Sequence, residues 1–207
     1  MKVAIINYGM GNLGSVRRAF EEIGVDVAIA NHPSVLFETD RIVLPGVGAF
    51  AEGMAHLTDG GWVAALQDVV VTQQKPLLGI CLGMQMLASS GSEGGMTRGL
   101  DFIPGYVQRL DDVGCRLRIP HVGWNEVHHK VEDAILMDIP DGSDFYFVHS
   151  YAVVPKADKH LVATVSYGVD IATVIRNEHV FGCQFHPEKS SKAGRQFLRN
   201  FMNYSVC

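Results

Sequence analysis

Between residues 3 and 89 the chain alternates short β-branched runs with amphipathic stretches, and this rhythm restricts the fold more than any other feature. Val3–Asn7 is a strand-length run, followed by a glycine-rich turn and an amphipathic stretch from Asn12 to Ile23. Gly24 punctuates it, Val25–Ala30 reads as a second strand, and Arg41–Leu44 as a third that stops at Pro45-Gly46. Gly53 to Gln74 is largely helical in pattern with a break at Gly60-Gly61, Pro76–Ile80 is a fourth strand, and Leu82–Ser89 a helix. Apolar strands separated by helices are buried on both faces and run parallel, so the pattern predicts an α/β fold. Its core is a mostly parallel central sheet flanked by helices on both faces. Beyond Gly91 come shorter segments: Tyr106–Leu110, Phe145–Ser150, Ala152–Val154, Leu161–Ser166, Ala172–Arg176 and Val180–Phe185. They predict additional antiparallel strands in the C-terminal half, before a closing helix over Ser191–Asn203. No linker or repeat divides the chain, so residues 1–207 are expected to form one domain.

Composition excludes several function classes. With 47% hydrophobic and 19% charged residues the chain has material for a full core without metal or disulfide staples. A net charge of −5 with no Lys/Arg run argues against nucleic acid. No apolar stretch approaches the roughly 20 residues of a membrane helix, and the apolar N-terminus reads as a buried strand rather than a leader. The four cysteines, Cys81, Cys115, Cys183 and Cys207, form no CxxC pair. A reducing, cytoplasmic setting is therefore expected. Neither a cofactor nor a metal is expected: His128-His129 are adjacent and diverge, and His32, His56, His121, His160 and His179 lack ligand spacing.

Two glycine motifs compete. Gly9-Met10-Gly11-Asn12-Leu13-Gly14 has the form of a dinucleotide fingerprint between the first strand and first helix. The second strand, however, ends Ala30-Asn31-His32 with no acid for a ribose, so a tight βα turn is the better reading. Gly79-Ile80-Cys81-Leu82-Gly83 has the form of a nucleophile elbow. Small residues two before and two after relieve the crowding of a sharp strand-to-helix turn. The sulfur then stands at a helix N-terminus that favours thiolate, with the Leu82 N–H aimed at any oxyanion formed there.

A thiol nucleophile needs a base, and an alternating strand ends in His186-Pro187-Glu188. Imidazole activates the thiol and protonates the leaving group. In extended chain Glu188 falls on the same side and holds the ring's tautomer. Pro45-Gly46-Val47-Gly48 follows the third strand, so Val47 is a candidate second oxyanion donor. Cys183 lacks an elbow and reads as a packing residue.

These residues resemble the class I glutamine amidotransferases, whose triad has Cys, His and Glu in that order. Within that class Asn7–Asn12, Pro45–Gly48, Pro120-His121-Val122-Gly123-Trp124-Asn125 and His186–Ser191 resemble the glutaminase subunits of imidazole glycerol phosphate synthases over essentially the whole chain. The resemblance implies hydrolysis of glutamine to glutamate, with ammonia passed to a separate (β/α)8-barrel cyclase subunit in a heterodimer. There it yields imidazole glycerol phosphate and aminoimidazole carboxamide ribotide in histidine biosynthesis. Cys81 would form the thioester, Leu82 and Val47 the oxyanion hole, and His186 with Glu188 the proton relay. It further implies that Gly48 and Gln85 line the glutamine pocket and Glu93 holds the substrate's ammonium. Ser150 and Tyr151 meet its carboxylate, with His149 beside them in a structural role. By the same resemblance, Asn12, Trp124, Asn125 and Lys189 should face the cyclase. Such subunits are nearly silent alone, which suggests that docking turns the Val47 peptide into the oxyanion hole. The alternatives are a glutaminase serving another synthase, such as a sugar-modifying paralogue; a non-catalytic subunit, against which the intact triad speaks; and a cysteine peptidase, against which Gln85 and Gly123-Trp124-Asn125 speak.

Overall fold

Successive strand residues point to opposite faces, and in β1 (Lys2–Ile6) both faces are buried. Val3 and Ile5 pack with Val16, Ala19 and Phe20 of α1 (Leu13–Glu22), whereas Ala4 and Ile6 join a second core. β2 (Asp26–Ala30) and β3 (Arg41–Gly46) flank β1 in parallel. The second core receives Met54 and Leu57 of α2 (Phe50–Asp59) and Trp62 and Leu66 of α3 (Trp62–Leu66). Each fully buried large apolar side chain contributes roughly 1.5–3 kcal/mol, so two such cores hold the sheet from both sides. The structure, a computed structural model, describes residues 1–205; Cys207 lies outside them.

The chain runs on through β4 (Leu77–Cys81) into α4 (Leu82–Met86), then β5 (Ser90–Gly91), β6 (Thr97–Arg98), β7 (Gly105–Arg109) and β8 (His121–His129). It continues as β9 (Ser143–His149), β10 (Tyr151–Pro155), β11 (Leu161–Ser166), β12 (Asp170–Asn177), β13 (Val180–Cys183) and α5 (Ser191–Asn203). Nine strands form the main sheet in the order β2-β1-β3-β4-β13-β12-β11-β8-β9. Pairing is parallel from β2 to β13 and antiparallel from β13 to β9. A smaller sheet, β10-β7-β5-β6, lies beside it.

The parallel half is the one the alternation predicts, and the antiparallel strands extend it. Sequence patterning passed over the two-residue strands β5 and β6 and, more consequentially, β8, a nine-residue strand paired with β9 over seven positions. Its polarity is inverted: His121 is buried and Asn125 half-buried, whereas Val122 and Trp124 are exposed. Period-2 patterning looks for apolar residues inside, so this strand gave the wrong sign. α4 is shorter than predicted because Leu87 and Ala88 turn with Leu87 N–H to Met84 O and Ala88 N–H to Gln85 O bonds. Among the described residues no helix is long and apolar enough to cross a membrane.

Candidate active site

β4 ends in a turn that few side chains tolerate. Cys81 has φ 55° and ψ −110°, a conformation that costs a non-glycine residue on the order of 1–3 kcal/mol. α4 begins at the next residue. A methyl on Gly79 would lie 2.6 Å from the Gly83 carbonyl oxygen, and one on Gly83 only 1.7 Å from the Leu44 carbonyl oxygen. Both glycines of the G-x-C-x-G motif are thus required by backbone approach.

Register brings the other motifs to this edge. Gly46 pairs with Cys81 across β3 and β4, so Val47 and Gly48 follow directly beside the elbow. Cys183 pairs with Ile80 across β13 and β4, which carries the chain to His186 at the same carboxyl edge. The His186 backbone is fixed by its N–H to Tyr146 O (2.9 Å) and by Ser190 Oγ donating to its carbonyl (2.6 Å). Glu188 is reached by a 3₁₀ turn over Pro187–Lys189 rather than by the extended chain the sequence suggested. The contact is made all the same, with His186 Nδ1 2.8 Å from Glu188 Oε1 and both side chains nearly fully buried. A carboxylate at Nδ1 holds the proton there and leaves Nε2 for chemistry; Nε2 is buried with no hydrogen-bond partner among the described residues.

Burial alone would lower the His186 pKa, but the neighbouring Cys81 and Glu188 outweigh it and raise it to about 9. A histidine raised in the fold stabilises it fully below its ordinary pKa of about 6.5, and this contribution is lost as pH rises through about 9. Glu188→Gln keeps the shape and removes the charge. The His186 imidazole titration followed by NMR should then fall by about one unit or more; an unmoved midpoint would show that the carboxylate is not a cause.

Cys81 opens into a cavity of about 330 Å³ lined by Val47, Gly48, Leu82, Gln85, Glu93, Pro120, Val148, His149, Ser150, Tyr151 and His186. The catalytic, oxyanion and substrate residues expected from sequence are therefore brought together, with Glu188 behind His186. Leu82 and Gln85 are buried, and Val47 is 46% exposed at the rim. Glu93 Oε2 accepts the Phe50 N–H at 3.0 Å, at the first turn of α2. Burial raises its pKa, tempered by that bond. The residues expected at a partner face are more scattered. Trp124 is exposed and meets Tyr146 edge-on at 6.0 Å, with Lys189 Nζ 5.7 Å from the Tyr146 ring. Asn12 is exposed and caps α1 through Ser15 N–H. Asn125 points to the opposite face from Trp124 and donates to Ser166 O at 3.1 Å, because neighbours on a strand cannot share a face.

Sequence reasoning missed Gln184 and Tyr8. Gln184 is fully buried and its Nε2 lies 3.7 Å from Cys81 Sγ; alternation from His186 was the available signal. The Tyr8 hydroxyl is buried without a hydrogen-bond partner among the described residues, beside Gly46 and the elbow. Burial, then nearby Cys81, raises its pKa well above the ordinary phenol value. Cys183 is fully buried, and burial, with Glu188 and Cys81 nearby, holds its thiol well above the usual range; it packs. The first two glycines of the Gly9–Gly14 motif make a turn, Gly9 and Gly11 having φ of 93° and 150°, and Gly14 lies in α1. A methyl on Gly14 would meet nothing within 4 Å, so that glycine serves no close packing. Among the described residues no group of His, Cys, Asp or Glu side chains is arranged to hold a metal ion.

A strained cysteine elbow and a carboxylate-anchored histidine at the carboxyl edge of a parallel sheet define a thiol hydrolase site. The family model "Glutamine amidotransferase class-I" matches residues 4–204, and the chain belongs to that family. Among its relatives, "Imidazole glycerol phosphate synthase subunit HisH" of Moorella thermoacetica is 46% identical over 96% of this chain and 93% of that protein. The protein of the same name from Geobacter sulfurreducens is 42% identical over 97% of each chain. The solved structure of PurLQS from Thermotoga maritima matches with a TM-score of 0.73 at 17% identity, over 98% of both chains. A glutamine amidotransferase from the same organism matches at 0.68 and 18%, over 98% of this chain and 83% of that one. At these identities the structural matches speak for the fold alone.

Proposed function

We propose that this chain is the glutaminase subunit of an imidazole glycerol phosphate synthase. As a single cytoplasmic domain it hydrolyses glutamine to glutamate and ammonia and supplies the ammonia to a cyclase subunit in a heterodimer. The observation that carries the chemistry is Cys81 on its elbow, sharing one cavity with a His186 whose Nδ1 is held by Glu188. The full-length likeness to the HisH subunits carries the assignment of the synthase.

The Cys81 proton passes to His186 Nε2, and the thiolate attacks the side-chain amide carbon of glutamine. The carbonyl oxygen becomes an oxyanion held by the N–H groups of Leu82 and Val47. His186 returns the proton to the departing nitrogen, ammonia leaves, and a glutamyl thioester remains on Cys81. The same ring then takes a proton from water, hydroxide adds to the thioester, and glutamate departs as the thiol is restored. Glu93 holds the substrate ammonium, Gly48 and Gln85 line the pocket, and Ser150 with Tyr151 meets the carboxylate. Asn12, Trp124 and Lys189 belong to the cyclase-facing surface, where Trp124 and Tyr146 form an aromatic anchor of the kind interfaces favour; Asn125 backs it from within.

The test is glutamate release by the purified chain alone and with a cyclase subunit carrying its nucleotide ligand. Strong stimulation and coupled product formation are expected; equal turnover with and without the cyclase would refute the assignment. Glu93→Gln retains an oxygen for the Phe50 N–H and loses only charge. It should raise KM for glutamine about tenfold with kcat little changed, the cost of one charge-assisted hydrogen bond. An unaltered KM would remove Glu93 from ammonium binding.

A further inference from the structure

A line of buried polar side chains, none of which gives or takes a proton in the reaction steps above, runs from β8 to the nucleophile, and the direction of each of its hydrogen bonds can be deduced. It starts from the Tyr151 carbonyl, which can only accept. His149 Nδ1 lies 2.8 Å from that oxygen and Gln85 Nε2 3.1 Å, so both donate to it. Gln85 uses its other N–H on Gln184 Oε1 at 3.1 Å. With its oxygen so engaged, Gln184 turns its own amide nitrogen to Cys81 Sγ at 3.7 Å. In the other direction, a proton on His149 Nδ1 leaves Nε2 as an acceptor in the neutral ring. His121 Nδ1 donates to it at 3.0 Å. His121 Nε2 then accepts, and Asn125 Nδ2 stands 3.5 Å away.

Burial keeps both rings neutral, lowering His149 to about 3 and His121 to about 4, so the tautomers hold across the physiological range. His121 is clamped between Phe147 and Tyr167, at 4.8 and 4.0 Å between ring centroids. Gln184, Gln85, His149 and His121 are all buried. A buried amide with both ends engaged has one orientation, since reversing it leaves two donors facing each other.

We propose that Gln184 holds the Cys81 thiolate through its amide N–H, and that the hydrogen bonds running back through Gln85, the Tyr151 carbonyl and the His149–His121 pair fix which way that amide points. This rests on Cys81 being the nucleophile. An N–H aimed at the sulfur favours thiolate over thiol and limits its swing in the cavity, so attack starts from one position. Gln184 thereby complements His186: one supplies a fixed donor, the other the mobile proton. His149 and His121 are positioning residues, acting only through the amides.

The test reads the sulfur directly. Alkylation of Cys81 by iodoacetamide is followed by mass spectrometry across pH, without glutamine, for the parent protein, Gln184→Met, Gln184→Glu and His121→Phe. The titratable groups around the sulfur are Tyr8, Cys183, His149 and His186, with Glu188 behind the last and Glu93 and Tyr151 lining the same cavity; all are retained in these variants. Gln184→Met removes the donor and should slow alkylation at neutral pH about tenfold and move the profile to higher pH, as loss of a hydrogen bond to a charged group does. Gln184→Glu replaces the donor with an acceptor and should do more. His121→Phe keeps the aromatic stack but removes the donor to His149 Nε2; the buried ring, left with an unpaired acceptor, moves against the Tyr151 carbonyl that it shares with Gln85, giving a smaller shift in the same direction. A purely structural Gln184 would lower the melting temperature and leave the profile in place, and that result overturns the proposal. If the Gln184 variants fail to fold, His121→Phe decides: a shifted profile supports the proposal and an unshifted one defeats it. Because no turnover is measured, failure here is separable from failure of the glutaminase reading, which is judged by glutamate release.

Discussion

Cys81→Ala is expected to release glutamate at least about 10⁴-fold more slowly than the parent chain while remaining folded, the scale on which loss of a nucleophile is felt when the rest of the site survives. The substitution removes one sulfur atom from a cavity floor and leaves the backbone at φ 55° and ψ −110° undisturbed, because Gly79 and Gly83 still make room for the turn. Cys81→Ser should not restore turnover. A hydroxyl holds its proton far more tightly than a thiol, and His186, raised to about 9 by Cys81 and Glu188, is tuned to a thiolate partner. Cys81→Gly should bring a gain in melting temperature together with the same loss of activity, because glycine adopts this backbone without strain. Glutamate release surviving in a folded Cys81→Ala protein would overturn the assignment of the nucleophile.

Gly83→Ala should be the most damaging single methyl in the chain. It would lie 1.7 Å from the Leu44 carbonyl oxygen, a backbone atom held in the β3–β4 ladder. No rotamer change can relieve a clash of backbone with backbone, so α4 or β3 must move. Overpacking of this kind costs about 3 kcal/mol or more, corresponding to a fall in melting temperature on the order of 10 °C. Activity should fall as well, since the Leu82 N–H sits on the displaced turn. Gly14→Ala is the matched control: on α1, with nothing within 4 Å, the methyl should raise stability by about 0.5–1 kcal/mol through helix propensity. Thermal melts of the two proteins side by side test the contrast. Equal melting temperatures would mean that the elbow glycines are not required by packing.

Much of this site is written locally in the chain. The G-x-C-x-G elbow, His186-Pro187-Glu188 and Pro45-Gly46-Val47-Gly48 are each short enough to be recognised alone. The parallel order of their strands brings all three to one carboxyl edge. β8 was not legible, because His121 and Asn125 point inward while Val122 and Trp124 point outward, against the usual sense of alternation. Gln184 was visible only in hindsight, as a polar residue on the same face as His186 in a strand otherwise apolar.

What the sequence pointed to by itself is a cysteine on a sharp turn and a His-Pro-Glu segment to serve it. Those depend on neighbours two residues away, through the sterics of the turn, whereas the 3₁₀ turn that carries Glu188 to His186 was not legible. What only the tertiary structure decided is which side chains complete the cavity and which way they point. Cys81, Gln85, Tyr151, His149 and His121 lie on five separate elements and Gln184 just beyond β13, and their hydrogen bonds are directed only once a buried carbonyl leaves each donor a single acceptor. Directionality of that kind belongs to packing, because in water every one of these groups would find a partner in any orientation.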